Sequence, residues 1–93
     1  MGKYTKFLFD GKALYFTMKD LKEPFHAHIS NKRLAEKGSA KLFIRKDGSC
    51  VVVDKGKIKD QTISKVIEFI ENNYLKMFED WKNKGGKPEF YIG

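Results

Sequence analysis

The sequence predicts an α+β fold in a single domain, residues 1–93: a small antiparallel sheet of two hairpins plus a connecting strand, packed against one long amphipathic C-terminal helix. Three observations predict it. Asp10-Gly11 and Asp47-Gly48 each lie between strand-like runs, and a two-residue Asp-Gly loop closes a hairpin because a type I′ turn needs positive φ at both central residues. From Asp60 onward, Ile63, Val66, Ile67, Ile70, Tyr74, Met77, Phe78 and Trp81 recur at helical spacing. Between the hairpins, Pro24 opens a short run, His26 to Ser30, that reads as a strand.

In the first hairpin an Asp-Gly loop sets Phe9 opposite Lys12, Phe7 opposite Leu14 and Thr5 opposite Phe16. Phe7, Phe9, Leu14 and Phe16 then form the core face, with Tyr4, Lys6, Leu8, Ala13, Tyr15 and Thr17 on a half-polar face. The run from Asn31 to Ser39 is polar and reads as a loop or one helical turn. In the second hairpin, Ile44 pairs with Val51, Leu42 with Val53, Phe43 with Val52 and Lys41 with Asp54. Apolar residues on both its faces predict an interior position in the sheet. The helix takes Asp60 as its N-cap and stops at Gly85-Gly86. Phe69 and Leu75 fall off its apolar stripe and mark a second contact surface, and Pro88 to Ile92 reads as an edge strand or a frayed end.

Hydrophobic residues at 41% and charged residues at 33% supply one modest core and an ordered chain. The longest apolar runs, such as Val51 to Val53, are far below the ~20 residues that cross a bilayer. Met1 to Phe9 lacks the apolar stretch of a signal peptide, so the expectation is a cytoplasmic protein with no membrane association. Cys50 is the one cysteine, which rules out an intrachain disulfide and reads as a spectator thiol. The formal net charge of +7 is unevenly placed: residues 1–59 hold 14 Lys or Arg against 6 Asp or Glu, and residues 60–93 hold 5 against 6. A basic sheet half attracts an acidic protein or a phosphate backbone. Against nucleic acid, 17 of the 19 cations are lysines, which lack the bidentate fork of arginine.

Chemistry concentrates at Glu23-Pro24-Phe25-His26-Ala27-His28, which holds both histidines. Residues two apart on a strand project from one face, so the imidazoles stand side by side. One neutral and one protonated imidazole serve as base and acid for phosphodiester cleavage, making His26 and His28 the candidate catalytic pair. Lys19, Lys22, Glu23, Lys32 and Arg33 lie close by in sequence and are the candidate binding residues. Glu23 or Asp20 as a third ligand leaves a zinc set incomplete, so no metal and no cofactor are expected. A scaffold role, with both rings tied to backbone or carboxylate partners, competes with catalysis and outweighs it. No phosphate-cradling glycine loop and no nucleophile elbow is present, and Asp54 reads as the cross-strand partner of Lys41.

Glu23, Pro24, His26 and His28, followed by Ala40-Lys41 and then by Asn72 or Asn73 and Trp81, resemble a small prokaryotic and phage family, domain-of-unknown-function family 4160. That family's pattern is Glu-Pro-Pro-His-x-His after an N-terminal hairpin, an Ala-Lys-led strand, and a helix with Asn and Trp near its end. The resemblance runs from about Lys6 to Trp81, with Phe25 in place of the second proline and a longer loop from Asn31 to Ser39. It implies a component of a toxin–antitoxin-like or phage-related pair, since members are often encoded beside small partner proteins.

The function expected is a small binding or regulatory module meeting an acidic protein partner, or RNA, through its basic sheet side. The alternative is a metal-independent ribonuclease using the histidine pair, and the balance is against an enzyme.

Overall fold

The computed structural model describes residues 2–17, 21–30 and 38–93. The elements are β1 (Gly2–Lys3), β2 (Ala13–Phe16), β3 (His26–Ser30), β4 (Ala40–Ile44), β5 (Cys50–Asp54) and α1 (Asp60–Asn83). The strands form one antiparallel sheet in the order β1-β2-β3-β4-β5, and α1 packs across one of its faces. The connecting strand is therefore the central strand, with the bounds expected from the sequence.

Period-2 alternation sorts the sheet into two faces. Leu14 and Phe16, Ala27 and Ile29, and Ala40, Leu42 and Ile44 join Val66, Ile70, Met77 and Trp81 of α1 in the core. The helical stripe buries as its spacing predicts. At its end the Gly85 N–H donates to the Lys82 carbonyl and the Gly86 N–H to the Trp81 carbonyl, with Gly85 at φ 92. That pair of bonds is a Schellman stop. Gly86 is also dictated by space, because a Cβ there would overlap the Trp81 indole.

Four sequence expectations are corrected. At the first hairpin, Asp10 and Gly11 do have positive φ (53 and 80), and Phe9 does pair with Lys12. Further out, however, Lys3 pairs with Tyr15 and Gly2 with Phe16. The chain bulges between these pairings, which puts Tyr4 rather than Phe7 into the core: Tyr4 is 7% exposed and Phe7 71%. The Tyr4 hydroxyl donates to the His26 carbonyl at 2.8 Å, a partner that a phenylalanine ring cannot use. Its phenol is pushed well above its ordinary value, mainly by burial.

At the second hairpin, Gly48 alone takes positive φ, and the Arg45 N–H bonds the Ser49 carbonyl. A three-residue loop ending in a left-handed glycine shifts the register by one. Ile44 therefore faces Cys50, Phe43 faces Val51 and Leu42 faces Val52, until a bulge restores Lys41 opposite Asp54. Third, β4 is interior but β5 is an edge strand, with Val52 and Val53 exposed. Fourth, Lys59 is the N-cap and Asp60 the first helical residue, where its carboxylate pairs with Lys55 at 2.6 Å. Its negative charge still complements the positive end of the helix dipole.

Phe69 is half-buried against Phe9, at 5.4 Å between ring centroids, while Leu75 is 63% exposed. The C-terminal segment docks on the core: the Phe25 N–H donates to the Glu89 carbonyl, the Tyr91 N–H donates to the Ile44 carbonyl, and Phe90 stacks on Phe78 at 4.1 Å.

Candidate functional site

His26 and His28 leave β3 on the face opposite Ala27 and Ile29, as the two-residue spacing requires. Their rings lie 5.1 Å apart, nearly perpendicular. Antiparallel register then supplies the neighbours: Tyr15 and Lys41 flank His28, and Phe43 flanks His26.

The two histidines occupy different environments. His26 has no exposed surface and is enclosed by the Trp81 ring at 5.1 Å and the Phe43 ring at 5.5 Å. Its Nδ1–H donates to the Pro24 carbonyl at 2.8 Å, which assigns the proton to that nitrogen because a carbonyl only accepts. Burial holds this imidazole below the ordinary histidine value; the Pro24 bond opposes the shift, and the charges of His28 and Lys41 add to it. His28 is half-buried, with the Tyr15 ring 5.5 Å away.

Lys41, extending from β4 on the same face, donates to both carboxylate oxygens of Glu23 at 2.8 and 3.0 Å and lies 5.0 Å from the centre of the Phe43 ring. Asp54, its partner in register, instead accepts the Gly56 N–H. Of the binding residues expected from sequence, Glu23 joins the histidines through Lys41, and Lys22 is exposed. Lys19, Lys32 and Arg33, like Asp20, lie outside the described residues.

Lys41, Tyr15 and Tyr91 were not singled out for the site by sequence reasoning. The Tyr91 ring stacks on Phe43 at 4.3 Å, extending the aromatic row beside His26. The signal for Lys41 and Tyr15 was their position in the alternation of β4 and β2; Tyr91 arrives through tertiary docking of the C-terminal segment. Among the described residues, no three His, Cys, Asp or Glu side chains gather as a metal site. The Cys50 thiol is pushed up to about 12, chiefly by burial, so it stays protonated at neutral pH. No helix among the described residues is long and apolar enough to cross a membrane.

A meander of five short strands under a single helix, with a histidine pair on the face of its central strand opposite Ala27 and Ile29, defines a small α+β domain class. Residues 11–82 match the model of a family described as Domain of unknown function (DUF4160), and the chain belongs to that family. No curated protein and no solved structure matches the chain.

Proposed function

We propose that this domain is a binding module, one component of a toxin–antitoxin-like or phage-related pair, that meets an acidic protein partner through the cations of its sheet half. The observation that carries this reading is the set of lysines left without carboxylates. Lys3, Lys6, Lys22, Lys46, Lys57 and Lys59 are exposed, and none makes an ion pair among the described residues. Unpaired surface cations cost little to the fold and speed encounter with an acidic surface.

The burial of His26 favours this reading over a two-histidine ribonuclease. A general acid or base must reach the proton it transfers, within a hydrogen bond or through one water. With Nδ1 committed to Pro24 and the ring enclosed, His26 is better suited to fixing the start of β3.

The test titrates the protein against fluorescently labelled polyglutamate at low and high salt, alongside incubation with mixed single-stranded RNA with and without chelator. Salt-sensitive binding of polyglutamate with intact RNA is the expected result. RNA cleavage that His26→Gln and His28→Ala each abolish would establish the ribonuclease instead, and binding of RNA but not polyglutamate would move the partner to nucleic acid.

A further inference from the structure

The bulge that sends Tyr4 into the core leaves Phe7 71% exposed and Leu8 39% exposed, beside α1. An open cavity of about 550 Å³ runs between this segment and the helix, lined by Lys3, Tyr4, Thr5, Lys6, Phe7, Lys76 and Asp80. A second, of about 530 Å³, shares Lys3 and Asp80 with it and continues to Lys84. The two adjoin as one furrow along the C-terminal half of α1, where Lys76 and Asp80 stand one turn apart on one side of the helix.

Its electrostatics are lopsided. Lys3, Lys6, Lys76 and Lys84 face one carboxylate, Asp80, and none of the five makes an ion pair among the described residues. Exposed apolar groups with cations around them reproduce the anatomy of a protein interface, an apolar anchor ringed by charge.

We infer that this furrow seats a protein segment carrying both carboxylates and apolar side chains, the apolar ones covering Phe7 and the carboxylates meeting Lys3, Lys6 and Lys76. The inference rests on the acidic-partner reading above and gives it a location. A single-stranded nucleic acid fits less well, because sequence-tolerant base binding uses successive aromatic platforms. Among the described residues that line the furrow, Phe7 is the one exposed aromatic.

The experiment uses the full chain and labelled synthetic peptides in a fluorescence anisotropy titration. The probe repeats Leu and Glu at helical spacing; one control replaces Leu by Ser, another replaces Glu by Lys, and a third ligand is oligouridine. The probe should bind, and either peptide control should bind at least about tenfold more weakly, the loss expected when an anchor of an interface is removed. Phe7→Ser and Lys76→Glu should each weaken the probe by a similar factor without lowering the melting temperature, whereas Lys87→Glu, outside the furrow at a lysine already paired with Glu89, should leave the affinity nearly unchanged.

Wild-type affinity in both Phe7→Ser and Lys76→Glu, with binding weakened by Lys59→Glu, would overturn the furrow and leave the acidic-partner reading standing. No binding of the probe or of polyglutamate would overturn both. Oligouridine binding that Phe7→Ser removes, with no peptide binding, would overturn the protein occupant.

Discussion

The Asp10 carboxylate accepts a hydrogen bond from the Thr62 hydroxyl at 2.8 Å, joining the turn of the first hairpin to the first turn of α1. Lys65, one turn further along, pairs with the same carboxylate at 2.6 Å. The Lys65 bond first, and the Thr62 bond second, hold the Asp10 carboxyl below its ordinary value. A carboxyl depressed by folding stabilises the native state above its unfolded value, near 3.8, and that contribution is lost as pH falls through the lower folded value.

Asp10→Asn tests this contact cleanly, because asparagine keeps the positive φ that the turn requires. The variant should melt below the wild type at neutral pH, and the gap should close under acid conditions below about pH 3.8. Thermal melts of both proteins across that range check it; a constant gap would show that the charge plays no part.

Trp81 is fully buried, with Phe16 and Phe25 at 5.9 Å and its indole N–H donating to the Lys87 carbonyl at 2.7 Å. Trp81→Ala removes a large core side chain and leaves that carbonyl to find water, so it should cost about 3–5 kcal/mol, a sizeable part of a small domain's stability. Urea unfolding followed by far-ultraviolet circular dichroism measures it. An unchanged midpoint would mean that α1 is not held to the sheet through this residue.

Gly11 and Gly48 both have positive φ, at 80 and 88, yet they should not respond equally to substitution. A Cβ on Gly11 meets nothing within 4 Å, whereas one on Gly48 would lie 2.7 Å from the Tyr74 ring. Gly11→Ala should show only the left-handed backbone penalty of roughly 1–2 kcal/mol. Gly48→Ala should cost more, and Tyr74→Ala should recover part of the difference in a double-mutant cycle. Equal losses at the two glycines would argue against the close approach of Tyr74.

The buried imidazole of His26 binds a proton less readily than the unfolded chain does, so between its folded value and about 6.5 the unfolded state holds more protons. Stability should therefore fall as pH drops through that window and level off below it. His26→Gln keeps a donor for the Pro24 carbonyl but does not titrate, so its melting temperature should decline less than the wild type's on acidification from pH 7. Parallel declines would place the acid sensitivity elsewhere.

What the sequence by itself determined is the local chemistry. Asp10-Gly11 and Gly48 demand positive φ, His26 to Ser30 is a strand, the stripe from Ile63 to Trp81 buries, and Gly85-Gly86 stops the helix. Each follows from interactions within a few residues, where backbone sterics and side-chain period leave few alternatives. The same alternation placed His26 and His28 on one face, and family membership was legible in Glu23, Pro24 and the two histidines.

Only the tertiary structure decided the registers, the edge position of β5 and the unequal burial of the histidines. Tyr4 displaces Phe7 because its hydroxyl finds the His26 carbonyl and its ring packs 4.8 Å from Phe16, a comparison of two candidates for one space that lies beyond local pattern. The second hairpin slips by one residue because a three-residue loop was available beside the two-residue one. His26 is enclosed by Trp81, whose indole is anchored at Lys87, and Tyr91 joins the aromatic row beside it by docking on β4. The contacts of His26 with Trp81 and of Phe43 with Tyr91 join residues more than forty positions apart, and their energy exists only once the helix and the C-terminal segment have closed on the sheet.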